Sequence, residues 1–246
     1  MKGFIRKLLW VLHLDLTRNL RYDRLTYKVI KKVLKPESLC VDVGAHKGEV
    51  LEWMLKLAPR GSVSAFEPIP YLAGALKEKY PKRVNVFQIA LSNRKGEAEF
   101  QVVKNDPAYS GFKKRTYKTD NPDIEVINVI TNRLDSYFPG PDYPALIKID
   151  VEGAEYEVLQ GCEGIFRQST PLVLFEFGLG AANHYGTKPE NMYELLESFG
   201  LKIYTLRSYV FNSAALSLSD FCNHFNTNSE YYFVAENPNA KNKLNM

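Results

Sequence analysis

The chain has little cysteine: three residues, Cys40, Cys162 and Cys222, in 246. They are too few and too scattered for a disulfide framework, and no C-x-x-C pair occurs. That argues against zinc and for a reducing, cytoplasmic setting. Cys40 falls in an apolar run and reads as a small core residue. No G-x-x-x-x-G-K-[ST] occurs, which excludes a P-loop. No apolar stretch approaches the 20 or so residues of a membrane span. The run Leu8-Leu9-Trp10-Val11-Leu12 is followed by His13, Asp15 and Arg18 rather than by a small-residue cleavage site, unlike a signal peptide. Internal repeats and low-complexity tracts are also missing.

Basic charge is scarce outside one segment. Residues 1–35 hold ten Lys/Arg against two Asp, whereas the remainder holds 22 basic and 26 acidic residues. A mildly acidic body with a basic arm does not resemble a nucleic-acid-binding surface. Residues 4–16, with Lys2, Arg6 and Lys7 ahead of the apolar run, suit a basic amphipathic helix. It would lie on an anionic membrane, or pack on its own domain or on a second subunit of a homo-oligomer.

Apolar content of 45% suits one large globular domain. Residues 1–36 read as a basic helical arm, 37–238 as the domain and 239–246 as a flexible tail. Helical spacing over 22–34 is followed by alternating strands and helices. Strands are expected at 39–43, 63–66, 84–91, 145–151, 172–177, 201–206 and 231–235. Helices are expected at 50–57, 71–79, 154–168 and 189–199. That alternation predicts an α/β fold with a doubly wound, mostly parallel sheet. About 50 residues between the third and fourth strands form an insertion with two β-like runs, 97–103 and 124–130. Loops of that length are uncommon unless they carry function.

Two segments carry a nucleotide-cofactor pattern: CVDVGAHKGEV at 40–50 and FEPIP at 66–70. A strand runs into a glycine-bearing turn and then a helix, and Glu67 follows Gly48 by 19 positions. A carboxylate at that distance suits ribose hydroxyls. The loop is G-x-x-x-G, not G-x-G-x-x-G, and Asp42 precedes Gly44 by two. Asp42 would repel a pyrophosphate, which disfavours an NAD-dependent oxidoreductase. It suits a cation such as the amino group and sulfonium of S-adenosylmethionine. A third segment, IKIDVEGAEYEVLQG at 147–161, places Asp150 and Glu152 at the carboxyl end of the fourth strand. Ligands bind there in open α/β sheets.

Together DVGAHKGEV, FEPIP, IALSNRKGEAEF, IKIDVEGAEYEVLQG and LVLFEFG resemble the FkbM-type family of S-adenosylmethionine-dependent methyltransferases in order and spacing, across residues 38–178. The resemblance implies a seven-stranded sheet whose last strand is antiparallel. It implies cofactor contacts from Asp42, Gly44, Ala45 and Gly48, ribose at Glu67, adenine near Ala90 and Ser92, and Asp150 near the amino-acid end. Members often methylate hydroxyls on sugars or natural products, so the expected acceptor is a small molecule or glycan. A non-catalytic scaffold of the same fold is the alternative.

A hydroxyl acceptor needs a base. The candidates are Asp150, Glu152, Glu176 after the fifth strand and His184 in the glycine-rich loop 178–186, with Tyr109 behind them. Tyr109, Lys113 and Arg115 in the insertion are candidates for acceptor binding by stacking and charge. Asp106-Pro107-Ala108-Tyr109 is similar to the D-P-P-Y motif of DNA amino-methyltransferases, but it lies in the insertion rather than after the fourth strand. Asp150, Glu152 and Glu176 suit magnesium by type, yet no adjacent acidic–amide pair marks such a site, and no metal is expected.

Overall fold

The computed structural model describes residues 18–117 and 120–239. The expected helix at 4–16 lies outside the described residues. A first helix, α1 (Arg18–Val33), leads into the main sheet. Its strands are β1 (Cys40–Val43), β2 (Val63–Phe66), β3 (Asn85–Phe87), β7 (Leu146–Ile149), β8 (Leu172–Glu176), β9 (Lys202–Thr205) and β10 (Tyr232–Glu236). Their order is β3-β2-β1-β7-β8-β10-β9, parallel except for β10, which runs antiparallel to both neighbours. The chain winds outward from β1 through β2 to β3, then returns to β7 on the other side of β1. The crevice between the carboxyl ends of β1 and β7 is therefore the switch point at which open α/β sheets hold ligands.

Strand alternation builds both faces of the sheet. Val41, Val43, Ile147 and Ile149 point to one face. Helices α4 (Glu155–Gln160), α5 (Glu163–Gln168), α7 (Pro189–Ser198) and α9 (Leu218–Thr227) supply Val158, Leu159, Ile165, Met192, Leu196, Phe221 and Phe225 there. Cys40, Leu146, Leu172, Leu174 and Val234 point to the other face. Those residues meet α1, α2 (Glu49–Leu57) and α8 (Leu206–Val210). In α1, Tyr22, Leu25, Thr26, Val29 and Ile30 form one buried stripe at helical spacing.

The stretch expected as one strand over 84–91 is two. β3 ends at Phe87, whose ring stacks 4.9 Å from that of Phe66. The chain then leaves the sheet, and β4 (Ala90–Leu91) pairs with β6 (Ile124–Asn132). With β5 (Gly96–Val103), these strands form a second sheet, β4-β6-β5, from the two β-like runs of the insertion. Phe100, Val102 and Val129 pack it against Ile69 and Leu72 of the segment around α3 (Pro70–Lys79).

The single helix expected over 154–168 is also two, α4 and α5. At the break, a Cβ on Gly161 would lie 2.3 Å from the Ser92 carbonyl oxygen, so the chain passes too close for any side chain. Asp135 Oδ1 accepts the Ile165 N–H at 3.0 Å and secures the second piece. Helix α9 was not among the expected elements, although its capping box, Ser217 with Asp220, is written in the sequence.

Candidate active site

A cavity of about 260 Å³ opens at the switch point. Its floor is the carboxyl ends of β1, β2 and β7, with Asp42, Gly44, Ala45, Glu67, Lys148 and Asp150 in the lining. Ile89, Ala90 and Leu91 form one wall. Phe100, Ser110 and Phe112 of the insertion form another, and Tyr22, Asp23 and Thr26 of α1 close a third.

The loop after β1 keeps its shape through left-handed backbone. Gly44 has φ 74°, and a Cβ there would meet the Asp150 carbonyl oxygen at 1.9 Å. This close approach binds the β1 loop to the end of β7. Gly48, φ 77°, opens α2, but it packs against Leu76 and Tyr80 rather than lining the cavity. Ser92 is likewise outside the lining; its N–H donates to the Asn132 carbonyl at 2.9 Å.

Glu67 is only 4% exposed, and the main chain holds it. Its Oε2 accepts the His46 N–H at 2.8 Å, and its Oε1 accepts the Ile69 N–H at 3.0 Å. Each oxygen keeps further acceptor capacity, as two vicinal hydroxyls would require. Burial pushes its carboxyl above the ordinary range, partly offset by those two bonds.

Lys148, in an otherwise apolar strand, sits beside Asp42 across the β1–β7 register. Its ammonium is buried 3.1 Å from Asp42 Oδ1 and 3.6 Å from Asp150 Oδ2. It also donates to the Gly44 carbonyl at 2.9 Å. Burial opposes its charge, but the two carboxylates outweigh burial and hold it firmly protonated. Burial raises the Asp42 carboxyl despite that cation. The Asp42–Lys148 contact is an ion pair without hydrogen-bond geometry, so neither Asp42 oxygen is hydrogen-bonded among the described residues. A buried carboxylate whose second oxygen has no donor among the described residues, beside a ribose-competent Glu67, fits a ligand with a cationic amino-acid end.

Asp150 has a second set of neighbours. Tyr232 donates its hydroxyl to Oδ2 at 3.3 Å, and the charge of Asp150 acts on the buried Glu176. Burial, then the charge of Asp150, holds the Glu176 carboxyl well above its ordinary range. The following turn places Glu152 at φ 60° and Gly153 at φ 114°. Glu155 secures that turn: its Oε1 accepts the Val151 and Gly153 N–H groups, each at 3.0 Å. Burial pushes Glu155 up to about 7.

The insertion and the 178–186 loop meet each other. The Thr116 N–H donates to the Gly180 carbonyl at 3.3 Å, and the Lys113 N–H donates to the Tyr185 hydroxyl at 3.2 Å. Arg115 is committed to an ion pair with Glu152, and its guanidinium lies 4.6 Å from the Tyr109 ring centre. Lys113 is exposed, with its ammonium 5.2 Å from the Tyr185 ring centre. His184 is exposed and faces Thr116 at 3.2 Å, outside the cavity lining. Its neighbour Tyr185 turns inward instead, against Gly153 and Gly111. Among the described residues, no group of three His, Cys, Asp or Glu is placed to hold a metal.

A profile of the methyltransferase FkbM domain matches residues 42–203. The chain belongs to the FkbM family of methyltransferases. The family is S-adenosylmethionine-dependent, and the donor set around Asp42 and Glu67 fits that cofactor. A curated relative, 2-O-methyltransferase NoeI of Sinorhizobium fredii (strain NBRC 101917 / NGR234), is 27% identical over 152 residues, covering 54% of this chain and 61% of NoeI. AMB antimetabolite synthetase AmbE of Pseudomonas aeruginosa is 26% identical over 167 residues, 53% of this chain and 8% of AmbE. The FkbM-family chain thus spans less than two thirds of either relative's length. The crystal structure of methyltransferase FkbM from Methylobacillus flagellatus KT shares the fold, with a TM-score of 0.50 at 14% identity. The match covers 82% of this chain and 44% of that one.

The residues that sequence reasoning missed are Lys148, Tyr232 and the α1 wall. A lysine inside Leu-Ile-Lys-Ile was the available signal for the first. No local pattern announces the other two, because their role depends on long-range packing.

Proposed function

We propose that this chain transfers a methyl group from S-adenosylmethionine to a hydroxyl of a sugar, glycan or related small metabolite, with Asp150 as the base. The observation carrying this reading is Asp150 in the same cavity lining as Glu67, held between Lys148 and Tyr232, with the charge of Glu176 coupled to its own from behind. The printed activity of NoeI, a 2-O-methyltransferase, supports a hydroxyl acceptor.

The cofactor supplies an electrophilic methyl group on a sulfonium. In this proposal Glu67 holds the ribose hydroxyls, Ile89, Ala90 and Leu91 flank the adenine, and Asp42, Gly44 and Ala45 receive the amino-acid end. Lys148 keeps Asp42 and Asp150 in place and offsets their mutual repulsion. Asp150 then accepts the acceptor's hydroxyl proton at a carboxylate oxygen. Glu176, retaining its own proton, donates to Asp150 and fixes its orientation. The insertion and the 178–186 loop enclose the acceptor and exclude water. In this proposal Lys113 and Tyr109, in the insertion next to the lining residues Ala108, Ser110 and Phe112, receive an anionic or sugar-bearing acceptor. His184 is assigned to the loop contact with Thr116, which leaves the carboxylates as the proton acceptors.

The test is methyl transfer to pooled glycans and hydroxylated metabolites, read by product mass and by S-adenosylhomocysteine release. Asp150→Asn should lower turnover by about 10²–10⁴-fold, the usual contribution of a base. Glu176→Gln, which preserves a donor toward Asp150, should cost far less than Glu176→Ala. Full activity in Asp150→Asn, or no transfer to any hydroxyl compound, would refute the assignment.

A further inference from the structure

The solvent-facing side of α1 is a basic stripe that the cavity chemistry does not use. Lys28 and Lys31 are exposed one turn apart on α1, and Lys35 is exposed two residues past its end at Val33. None of the three makes an ion pair among the described residues. Arg21, Arg24 and Lys32 flank them on the same face. Arg21 pairs with Glu230, and Lys32 donates to the Tyr209 carbonyl at 2.9 Å and to Asn212 Oδ1 at 2.6 Å. The one acid of the helix, Asp23, is turned to the cavity.

Beside this stripe is an exposed aromatic residue. Helix α8 packs on α1, and Phe211, directly after it, is 62% exposed with Arg207 5.7 Å from its ring centre. A row of cations bordered by an uncovered aromatic ring is what a lipid headgroup layer accepts: phosphates meet the cations, and the ring enters the interface. The sequence ahead of α1 has the same character, with Lys2, Arg6 and Lys7 followed by Leu8-Leu9-Trp10-Val11-Leu12.

We propose that the outer face of α1, with Phe211, docks this protein on an anionic membrane surface. The opposite face of the same helix contributes Tyr22 and Thr26 to the cavity wall. Docking therefore places that wall about one helix diameter, ~10 Å, from the headgroups. Among the described residues no helix is long and apolar enough to cross a membrane, so the contact is peripheral.

The test is co-sedimentation of the full chain with vesicles of phosphatidylcholine, alone or with about a third phosphatidylserine, across a salt series. Binding should require phosphatidylserine and fall as salt rises, because exposed charges are screened. Each basic residue at a lipid surface is worth roughly fivefold in affinity, so Lys28→Glu/Lys31→Glu/Lys35→Glu should lose at least about a hundredfold. S-adenosylhomocysteine affinity, read by calorimetry, should stay near wild type in that variant and serves as the folding control. Should it fall, Lys28→Gln/Lys31→Gln/Lys35→Gln replaces the variant, with the same expectation for lipid at smaller size. No binding to anionic vesicles, equal binding to neutral ones, or unchanged binding in the variants would overturn the proposal. So would tighter binding to duplex or single-stranded nucleic acid than to vesicles at the same salt.

Discussion

Two carboxylates on one cavity floor are held in opposite ways. Glu67, at the end of β2, is fixed by two backbone N–H groups, from His46 and Ile69. Asp150, at the end of β7, is fixed by side chains that can themselves gain or lose protons: Lys148, Tyr232 and Glu176. Main-chain donors cannot titrate and move only with the loop that carries them. A set of side chains responds to pH and to each neighbour's charge. The first arrangement suits a ligand that must be held the same way in every cycle. The second suits a group that must accept a proton and release it.

The contrast breaks most visibly at Lys148. Its loss leaves Asp42 and Asp150 facing each other across a buried site with no cation between them. Lys148→Met should destabilise the fold by about 3–5 kcal/mol, measured by urea unfolding near neutral pH. Acidification should recover part of that loss, because protonated carboxyls no longer need the ammonium.

Next in size is Glu155. Its folded-state pKa is raised from 4.5 to about 7, so the stability it contributes is present below pH 4.5 and lost as pH rises through about 7. Glu155→Gln keeps an oxygen for the Val151 and Gly153 N–H groups and cannot ionise. The variant should match wild type at acid pH and exceed it above neutrality by on the order of 3 kcal/mol, at 1.36 kcal/mol per pKa unit. Unfolding curves across pH would show it; a gap that does not widen with pH would show that Glu155 ionises in the fold as it does in the unfolded chain.

Tyr232→Phe removes one hydroxyl from Asp150 and leaves the ring. A loss of about 1 kcal/mol, or several-fold in turnover, is expected, with cofactor affinity unchanged. Smallest is His184→Ala, which should stay within about 0.5 kcal/mol of wild type in stability and retain turnover, since the imidazole is exposed and outside the cavity. A large loss there would restore His184 to the chemistry.

The same contrast shows what a reading of residues can reach. β1, β2, β7 and β8 are short apolar runs with turns after them, and their ends carry Asp42, Glu67, Asp150 and Glu176, all legible by spacing. The main-chain grip on Glu67 is local, within the β1 and β2 loops, and so was half visible. The side-chain grip on Asp150 comes from β10 and β8, far apart in sequence, and could not be read. A run that reads as one strand also hides a change of sheet, as at Gln88 and Ile89 between β3 and β4. The close approach of Gly161 to Ser92, which divides α4 from α5, is a tertiary contact with no local signature. His184 and Tyr185 are adjacent in a four-residue helix, and only packing on Gly153 decides which of them turns inward.

The most direct measurement is calorimetric titration of S-adenosylhomocysteine into wild type, Glu67→Ala and Asp150→Asn. A hydrogen bond to a charged group is worth roughly 1.5–3 kcal/mol, so Glu67→Ala should bind about 10- to 150-fold more weakly. Asp150→Asn should bind within a few-fold of wild type, its loss being expected in turnover instead. Equal binding by Glu67→Ala and wild type, or no binding by wild type at all, would contradict the account.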